Sequence, residues 1–420
     1  MHDNVTIIII LIAIVSITLL TVALLLASIV RRGWHSRMHR QLDALRKTYR
    51  DEVRQAIASG EEIATSEKKF RFKPGSLAWQ AVEEVLQELM AEKGQTGDVE
   101  ALFRRLGYVE FYENRLSRRN VLIKASAIDK LGKMGCLLST SRLVPLLDTN
   151  DPEILSVTVR ALSNLRSKEG LAAIIERLPT LLGKSLVTRK AMETALLKFG
   201  GEAIPFLTDY REDPNDPWIL SCILEMLSIL PPDPRSLSLA IKYLGSTHPE
   251  VRSKALKVIG SDGYAIPSHA SDLVLPLLND PVWFVRLQAV KSVHELTRES
   301  TAKLLEKLLF DENWRVRSEA ALALTRIGSY AVDVFYDALK TKDVYAKESI
   351  CEEIEKTRFS DWLIKHLDDD DKTLRAKCHE ILRLMHVLGF SMPLTAYVEA
   401  GENERIKQAV RHLLASGVER

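Results

Sequence analysis

The chain is 420 residues long, room for two or three globular domains or for one repeat array. Apolar residues make up 46 % and charged residues 27 %, which excludes a disordered or collagen-like chain, and a net charge of +2 argues against a nucleic-acid binder driven by global charge. Cys136, Cys222, Cys351 and Cys378 never occur as CxxC, so neither a disulfide scaffold nor a zinc ribbon fits.

From Val5 to Val30 the chain runs without a charged side chain; Thr6, Ser16, Thr18, Thr21 and Ser28 are its polar members. As a helix this stretch is roughly 39 Å long, more than the ~30 Å hydrocarbon core of a bilayer. A cleaved secretory signal fits less well, because there is no basic leader, no small-x-small site before Arg31, and an apolar run about twice the usual length. Residues 1–30 are therefore predicted to be a single uncleaved transmembrane helix. Asp3 is the one charged side chain before it, whereas Arg31, Arg32, Arg37 and Arg40 follow it, joined by His35 and His39. A cationic flank stays on the cytoplasmic side of the plasma or inner membrane, which puts the bulk of the chain there and the four arginines beside lipid headgroups.

Residues 31–75 read as a basic stalk and linker. Positions 31–73 hold 12 Lys and Arg against 6 Asp and Glu, which leaves 74–420 at −3. Within the stalk Met38, Leu42, Leu45, Tyr49 and Val53 form one apolar stripe at helical spacing. Two readings stay open: a short parallel coiled coil that makes a homodimer, or a solvated or membrane-skimming helix. Ser59 to Ser76, with Pro74-Gly75, reads as a linker, so a chain begun at Gly75 is expected to fold alone. Residues 76–117 are predicted as two capping helices, Leu77–Lys93, with Trp79, Val82, Leu86 and Leu89 on one face, and Val99–Leu116.

From about Arg118 to the C-terminus a V-R-x-x-A-like register recurs. Its anchors are Lys124, Leu155, Arg189, Leu220, Arg252, Arg286, Arg317, Lys347, Arg375 and Lys407, at steps of 28 to 34 residues. A period of that length signals a helical solenoid of about ten units over 118–420. The residue before each anchor and those three and seven after it share one helical face and are predicted to be core. Gly135, Gly200, Gly263 and Gly328 lie eleven past an anchor, where a left-handed helix end favours glycine. Asp151-Pro, Asp216-Pro, His248-Pro and Asp280-Pro mark turns, with Pro preset for a helix start.

These units resemble HEAT repeats, in the short bacterial form also seen in phycobilin-lyase-type proteins. The resemblance implies an aspartate in the turn and an arginine six positions on that bond across the stack as a ladder. Asp280 with Arg286, Asp311 with Arg317, and Asp369 with Arg375 meet that spacing. The ladder is expected to break elsewhere. Anchor, basic stalk and array together resemble bacterial membrane-tethered HEAT proteins encoded beside membrane glycosyltransferases, which implies an accessory role in such a polysaccharide system.

Motifs with chemistry are sparse. Gly183-Lys184-Ser185 lacks a phosphate loop's first glycine, since Leu178 stands there. His294-Glu295 and His379-Glu380 lack the second histidine of a zinc-protease helix. Cys378, His379 and His386 are too loosely spaced for a metal site, and Asp368 to Asp371 reads as a solvated turn. No catalytic residue, cofactor or metal is predicted.

One constellation stands out. Trp283 and Trp314 each sit three before an anchor arginine, pointing away from the core stripe, and Trp218 sits two before Leu220. With Arg252, Arg286, Arg315, Arg317, Lys347 and Arg375 they form a candidate protein-binding surface, because Trp and Arg carry much of the energy at interfaces. The competing reading is packing between repeats for the tryptophans and ladder bonds for the arginines. The sequence thus predicts an all-α chain: a transmembrane helix, a helical stalk, then an α-α superhelical array acting as a membrane-tethered, non-enzymatic scaffold. A protein partner is expected in its groove, with lipids at its basic flank and no nucleic acid. The alternative is a HEAT-type lyase of the phycobilin-lyase kind.

Overall fold

The computed structural model describes residues 2–58, 69–92, 96–183, 185–210, 216–261, 268–293 and 299–416, and no strand occurs among them. Most of the expected linker, Gly263 and His294 lie outside the described residues, as do the side chains of residues 1–18, on which the expected anchor largely rests. The chain forms two compact units, residues 1–198 and 199–420.

Unit one begins with α1 (His2–Ala58), a single 57-residue helix that runs through both the expected anchor and the stalk. Its described apolar side chains between Leu19 and Val30 face outward, with Leu25 62 % exposed. Among the described residues no single helix is long and apolar enough to cross a membrane. The stalk half of α1 packs on α2 (Leu77–Ala91). Leu42 and Val53 are buried, and the Tyr49 ring lies 6.3 Å from Phe70 and 5.5 Å from Phe72.

Alongside these apolar contacts Arg46 reaches Glu84 at 3.3 Å and also pairs with Glu88, Arg50 pairs with Glu88, and Arg54 with Glu92 at 2.5 Å. Burial works to raise the Glu88 carboxyl, but the hydrogen bonds from Arg50 and Arg46 outweigh it and hold it below the usual carboxylate range. The stalk stripe thus packs on α2 within the same chain, with Met38, Leu45 and Tyr49 half-buried. A chain begun at Gly75 would lack the stalk half of α1 that covers α2.

Beyond α2, the helix expected over Val99–Leu116 is two, α3 (Thr96–Arg105) and α4 (Tyr108–Glu113), split at Gly107. That residue takes φ 81°, a conformation glycine reaches without strain. The split folds α4 back so that Tyr108, Phe111 and Tyr112 gather on Trp79. The first repeat helices follow, α5 (Val121–Met134), α6 (Pro152–Leu165) and α7 (Arg189–Phe199). A Cβ at Gly132 of α5 would lie 2.5 Å from Ala161 Cα, so this glycine lets α5 and α6 approach closely.

Unit two carries the remaining anchor helices: α8 (Pro217–Leu227), α9 (Pro249–Ile259), α10 (Trp283–Ser292), α11 (Trp314–Ile327), α12 (Val344–Lys356), α13 (Lys372–Val387) and α14 (Glu404–Ser416). Shorter helices such as Glu299–Leu308 and Ala331–Lys340 pair with them as hairpins. The core stripe is where the repeat register puts it. Val251, Ala255 and Ile259 are buried, as are Val285, Ala289 and Val293, then Val316, Ala320 and Leu324, then Ala346, Ile350 and Ile354. Each large aliphatic side chain so buried contributes about 1.5–3 kcal/mol, and α8 to α12 stack one on the next through this face.

Polar residues set the ends. Asp151 and Asp216 cap α6 and α8 by accepting backbone N–H groups, followed by Pro152 and Pro217 in the first turn. Gly135, Gly200 and Gly328 have φ of 69°, 58° and 75°, the positive values their position called for.

Candidate partner-binding surface

The anchor arginines are held by a ladder whose direction differs from the expected one. Arg252 donates from Nε and Nη2 to the Asp280 carboxylate at 2.8 and 2.9 Å, and from Nη1 to the Ser246 carbonyl at 2.9 Å. Arg286 repeats this on Asp311 at 2.6 and 2.8 Å, with Nη1 on the Asp280 carbonyl at 2.8 Å. Each arginine thus clasps its own turn by a carbonyl six residues back and the next turn by a carboxylate. Donating hydrogen bonds to Asp311 raises Arg286 above the ordinary guanidinium value against the opposing effect of burial. The expected Asp280–Arg286, Asp311–Arg317 and Asp369–Arg375 pairs therefore exist only as backbone contacts. Arg252 is a full rung although its own turn offers Ser246.

Arg252 and Arg286 have side chains only 12 % and 15 % exposed, with both fork donors on a carboxylate. Their place is in the ladder, the alternative weighed for the arginines. Asp280 does not cap α10, where Val282 stands at the cap; its carboxylate is taken up by Arg252 and by the Val282 N–H at 2.9 Å.

Outside the ladder an aromatic edge forms at the N-terminal turns of α10 to α12. Arg315 lies with its Cζ 5.7 Å from the Trp283 ring and 5.5 Å from the Trp314 ring, bridging two repeats by cation–π contact. Trp314 is 63 % exposed and Trp283 half-buried, its ring edge-on to Phe284 at 5.8 Å. Beside them opens a depression of about 390 Å3 lined by Pro281, Val282, Trp283, Arg286, Glu312 and Asn313.

One step further Arg317 Cζ lies 5.5 Å from the ring of Tyr345, itself 68 % exposed. Tyr345 belongs to this edge and was missed in the sequence. It stands two before its anchor, the position of Arg315 and Phe284, and that column of aromatic and cationic residues was the available signal.

Other candidates fall away from it. Trp218 on α8 is separated from α10 by α9, where the corresponding positions hold Pro249 and Glu250. Lys347 on α12 has no carboxylate partner among the described residues. Arg375 is not continuous with the rest. Its helix, α13, packs on Ala331–Lys340, where Lys377 pairs with Asp333 and lies 6.0 Å from the Tyr336 ring. The row of α8 to α12 therefore does not carry on into α13. At the other end of the chain Arg32, Arg37 and Arg40 are exposed, and the Arg31 side chain lies outside the described ones.

Nucleophile and ligand chemistry is poorly served. All four cysteines are buried, and burial pushes Cys351 and Cys378 each up to about 12. His386 bridges Ser391 Oγ at 2.6 Å and the Leu414 carbonyl at 3.2 Å, tying α13 to α14.

No curated protein matches the chain. Among solved structures, an engineered protein is similar at 16 % identity over 86 % of this chain and 100 % of its own, with TM-score 0.29. Kap121p bound to Nup53p is similar at 14 % identity, with TM-score 0.44, over 84 % of this chain and 48 % of Kap121p. A mutant of Kap121p gives 14 % identity and TM-score 0.47 over 85 % and 45 %. The chain thus spans about half the length of Kap121p. Residues 271–355, which hold the Asp280 and Asp311 rungs and the aromatic edge, match the family model of HEAT repeats.

Proposed function

We propose that this protein is a membrane-tethered, non-enzymatic scaffold that holds a protein partner along the Trp283–Arg315–Trp314–Tyr345 edge. The observation that carries this reading is the exposure of that edge: Trp314 and Tyr345 present their rings to solvent, with Arg315 over the Trp314 ring and Arg317 over that of Tyr345. Stacked repeats offer extended faces of this kind, and aromatic side chains joined to arginine concentrate binding energy. Tethering is supported by the apolar run Val5–Val30 and the arginines that follow it, on the same helix whose stalk is docked on α2. Confining the array to a bilayer surface raises the effective concentration for membrane-bound partners. The narrower role, accessory to a membrane glycosyltransferase or polysaccharide system on the cytoplasmic face, comes from the family resemblance.

Proximity labelling in the native cell tests this. The Trp283→Ala, Trp314→Ala double variant is expected to lose the proteins that the native chain gathers, with little change in melting temperature. Unchanged labelling with a melting point several degrees lower would assign both rings to packing.

A further inference from the structure

The ladder is interrupted at Arg317 in a way that leaves half a rung. Arg252 and Arg286 each close the Nε–Nη2 edge of the guanidinium on the aspartate of the next turn. Arg317 makes the same backward bond, Nη1 to the Asp311 carbonyl at 2.8 Å. Its Nε is buried without a hydrogen-bond partner, and no carboxylate meets the Nε–Nη2 edge among the described residues. The reason lies in the register. The position six before each anchor holds Asp280, then Asp311, then Thr341. Thr341 keeps an extended backbone close to that of Asp280, φ −66° and ψ 173° against −59° and 140°, but its hydroxyl turns back to the Ala338 carbonyl at 2.7 Å. Thus the stack continues from α11 to α12 while the carboxylate is missing.

The geometry points to a partner's carboxylate as the missing half of this rung: the scaffold edge captures an acidic peptide segment, a glutamate or aspartate of which closes on Arg317 while its neighbours lie along Trp314 and Arg315. The inference rests on the reading of this edge as the partner surface and adds the partner's chemistry. Charge complementarity favours an acidic segment, because Arg315 and Arg317 have no carboxylate partner among the described residues, and both lie within cation–π reach of aromatic rings. A guanidinium edge meets a planar carboxylate with two parallel bonds, as Arg252 and Arg286 do inside the fold. Closing on the buried Nε requires the exposed Tyr345 ring to turn aside from Arg317.

The test uses the full chain in phosphatidylcholine nanodiscs and a fluorescein-labelled peptide of alternating glycine and glutamate, read by anisotropy. Saturable binding is expected, with the glutamine counterpart at least about tenfold weaker. Arg317→Gln is expected to weaken the glutamate peptide by a similar factor. Thr341→Asp supplies the carboxylate from within, so it should abolish binding while melting no lower than the native chain. Equal affinity for the glutamate and glutamine peptides, or undiminished binding in Arg317→Gln or Thr341→Asp, would overturn the proposal. So would displacement by inorganic phosphate or glycerophosphate at concentrations where the glutamate peptide shows no advantage, which would mark a phosphate or lipid-headgroup site instead. Failure of the peptide with continued Trp283- and Trp314-dependent capture in cells would sink the acidic partner and leave the scaffold standing.

Discussion

Replacing Asp280 by Ala is expected to cost about 3–5 kcal/mol of unfolding free energy, among the largest losses of any single polar substitution in the chain. The Asp280 side chain is 4 % exposed and that of Arg252 12 %, so this is a buried pair rather than a surface one. The substitution leaves the Nε and Nη2 donors of Arg252 without acceptors and frees the Val282 N–H as well. A buried charge stripped of its partner loses far more than the net worth of the pair, because its desolvation is no longer offset. Urea denaturation followed by far-ultraviolet circular dichroism reads the loss. Adding Arg252→Met to Asp280→Ala should recover most of it, since an apolar replacement of the whole pair removes the orphaned charge. A single-variant loss below about 1 kcal/mol would put the rung among surface ion pairs and contradict its structural role.

Trp79→Ala is expected to cost a similar amount, about 3–5 kcal/mol, at the other end of the chain. Trp79 is 5 % exposed and lies 4.4 Å from Tyr108, 5.0 Å from Phe111 and 5.9 Å from Tyr112 between ring centroids. Its carbonyl also accepts the Tyr108 hydroxyl at 2.7 Å. Around the same helix Glu83, 2 % exposed, meets Lys130 at 2.9 Å and the Tyr112 hydroxyl at 3.0 Å, so the cap joins aromatic packing to a buried charge. Burial pushes the Tyr108 and Tyr112 hydroxyls well above the ordinary phenol value, with Glu83 adding to it, and both stay protonated donors. Removing the indole opens a cavity among three rings and loosens α2, the helix on which the stalk of α1 rests. Denaturation should show the loss, and faster proteolysis of the stalk should accompany it. Unchanged stability would mean the cap closes over the void and is not the foundation of the stalk.

What was legible in the sequence is what depends on local register. The period, the buried face at the residues around Ala255, Ala289, Ala320 and Ile350, and the positive φ at Gly135, Gly200 and Gly328 all follow from helical geometry within one unit. What was misread depends on which element lies beside which. A six-residue spacing brings Arg286 near its own Asp280, yet the guanidinium fork reaches forward to Asp311, a contact fixed only by stacking. The stalk stripe from Met38 to Val53 was visible as a stripe, but nothing in its period says that α2, rather than a second chain, covers it. Arg375 fits the register and still leaves the edge, because α13 settles on Ala331–Lys340. Tyr345 escaped notice because tryptophan three before the anchor is a sharper signal than any aromatic two before it.

Flotation with liposomes, of the full chain and of a chain begun at Met38, is the most direct trial of a self-contained helical stack moored by its first thirty residues. The expected result is that the full chain floats and resists carbonate extraction. The shortened chain should stay in the aqueous fraction with the same helical dichroism and melting temperature, since Leu42 to Val53 and α2 are retained. A full chain that stays wholly aqueous would refute the tether. A shortened chain that unfolds, or that shows mainly β signal, would refute the stack.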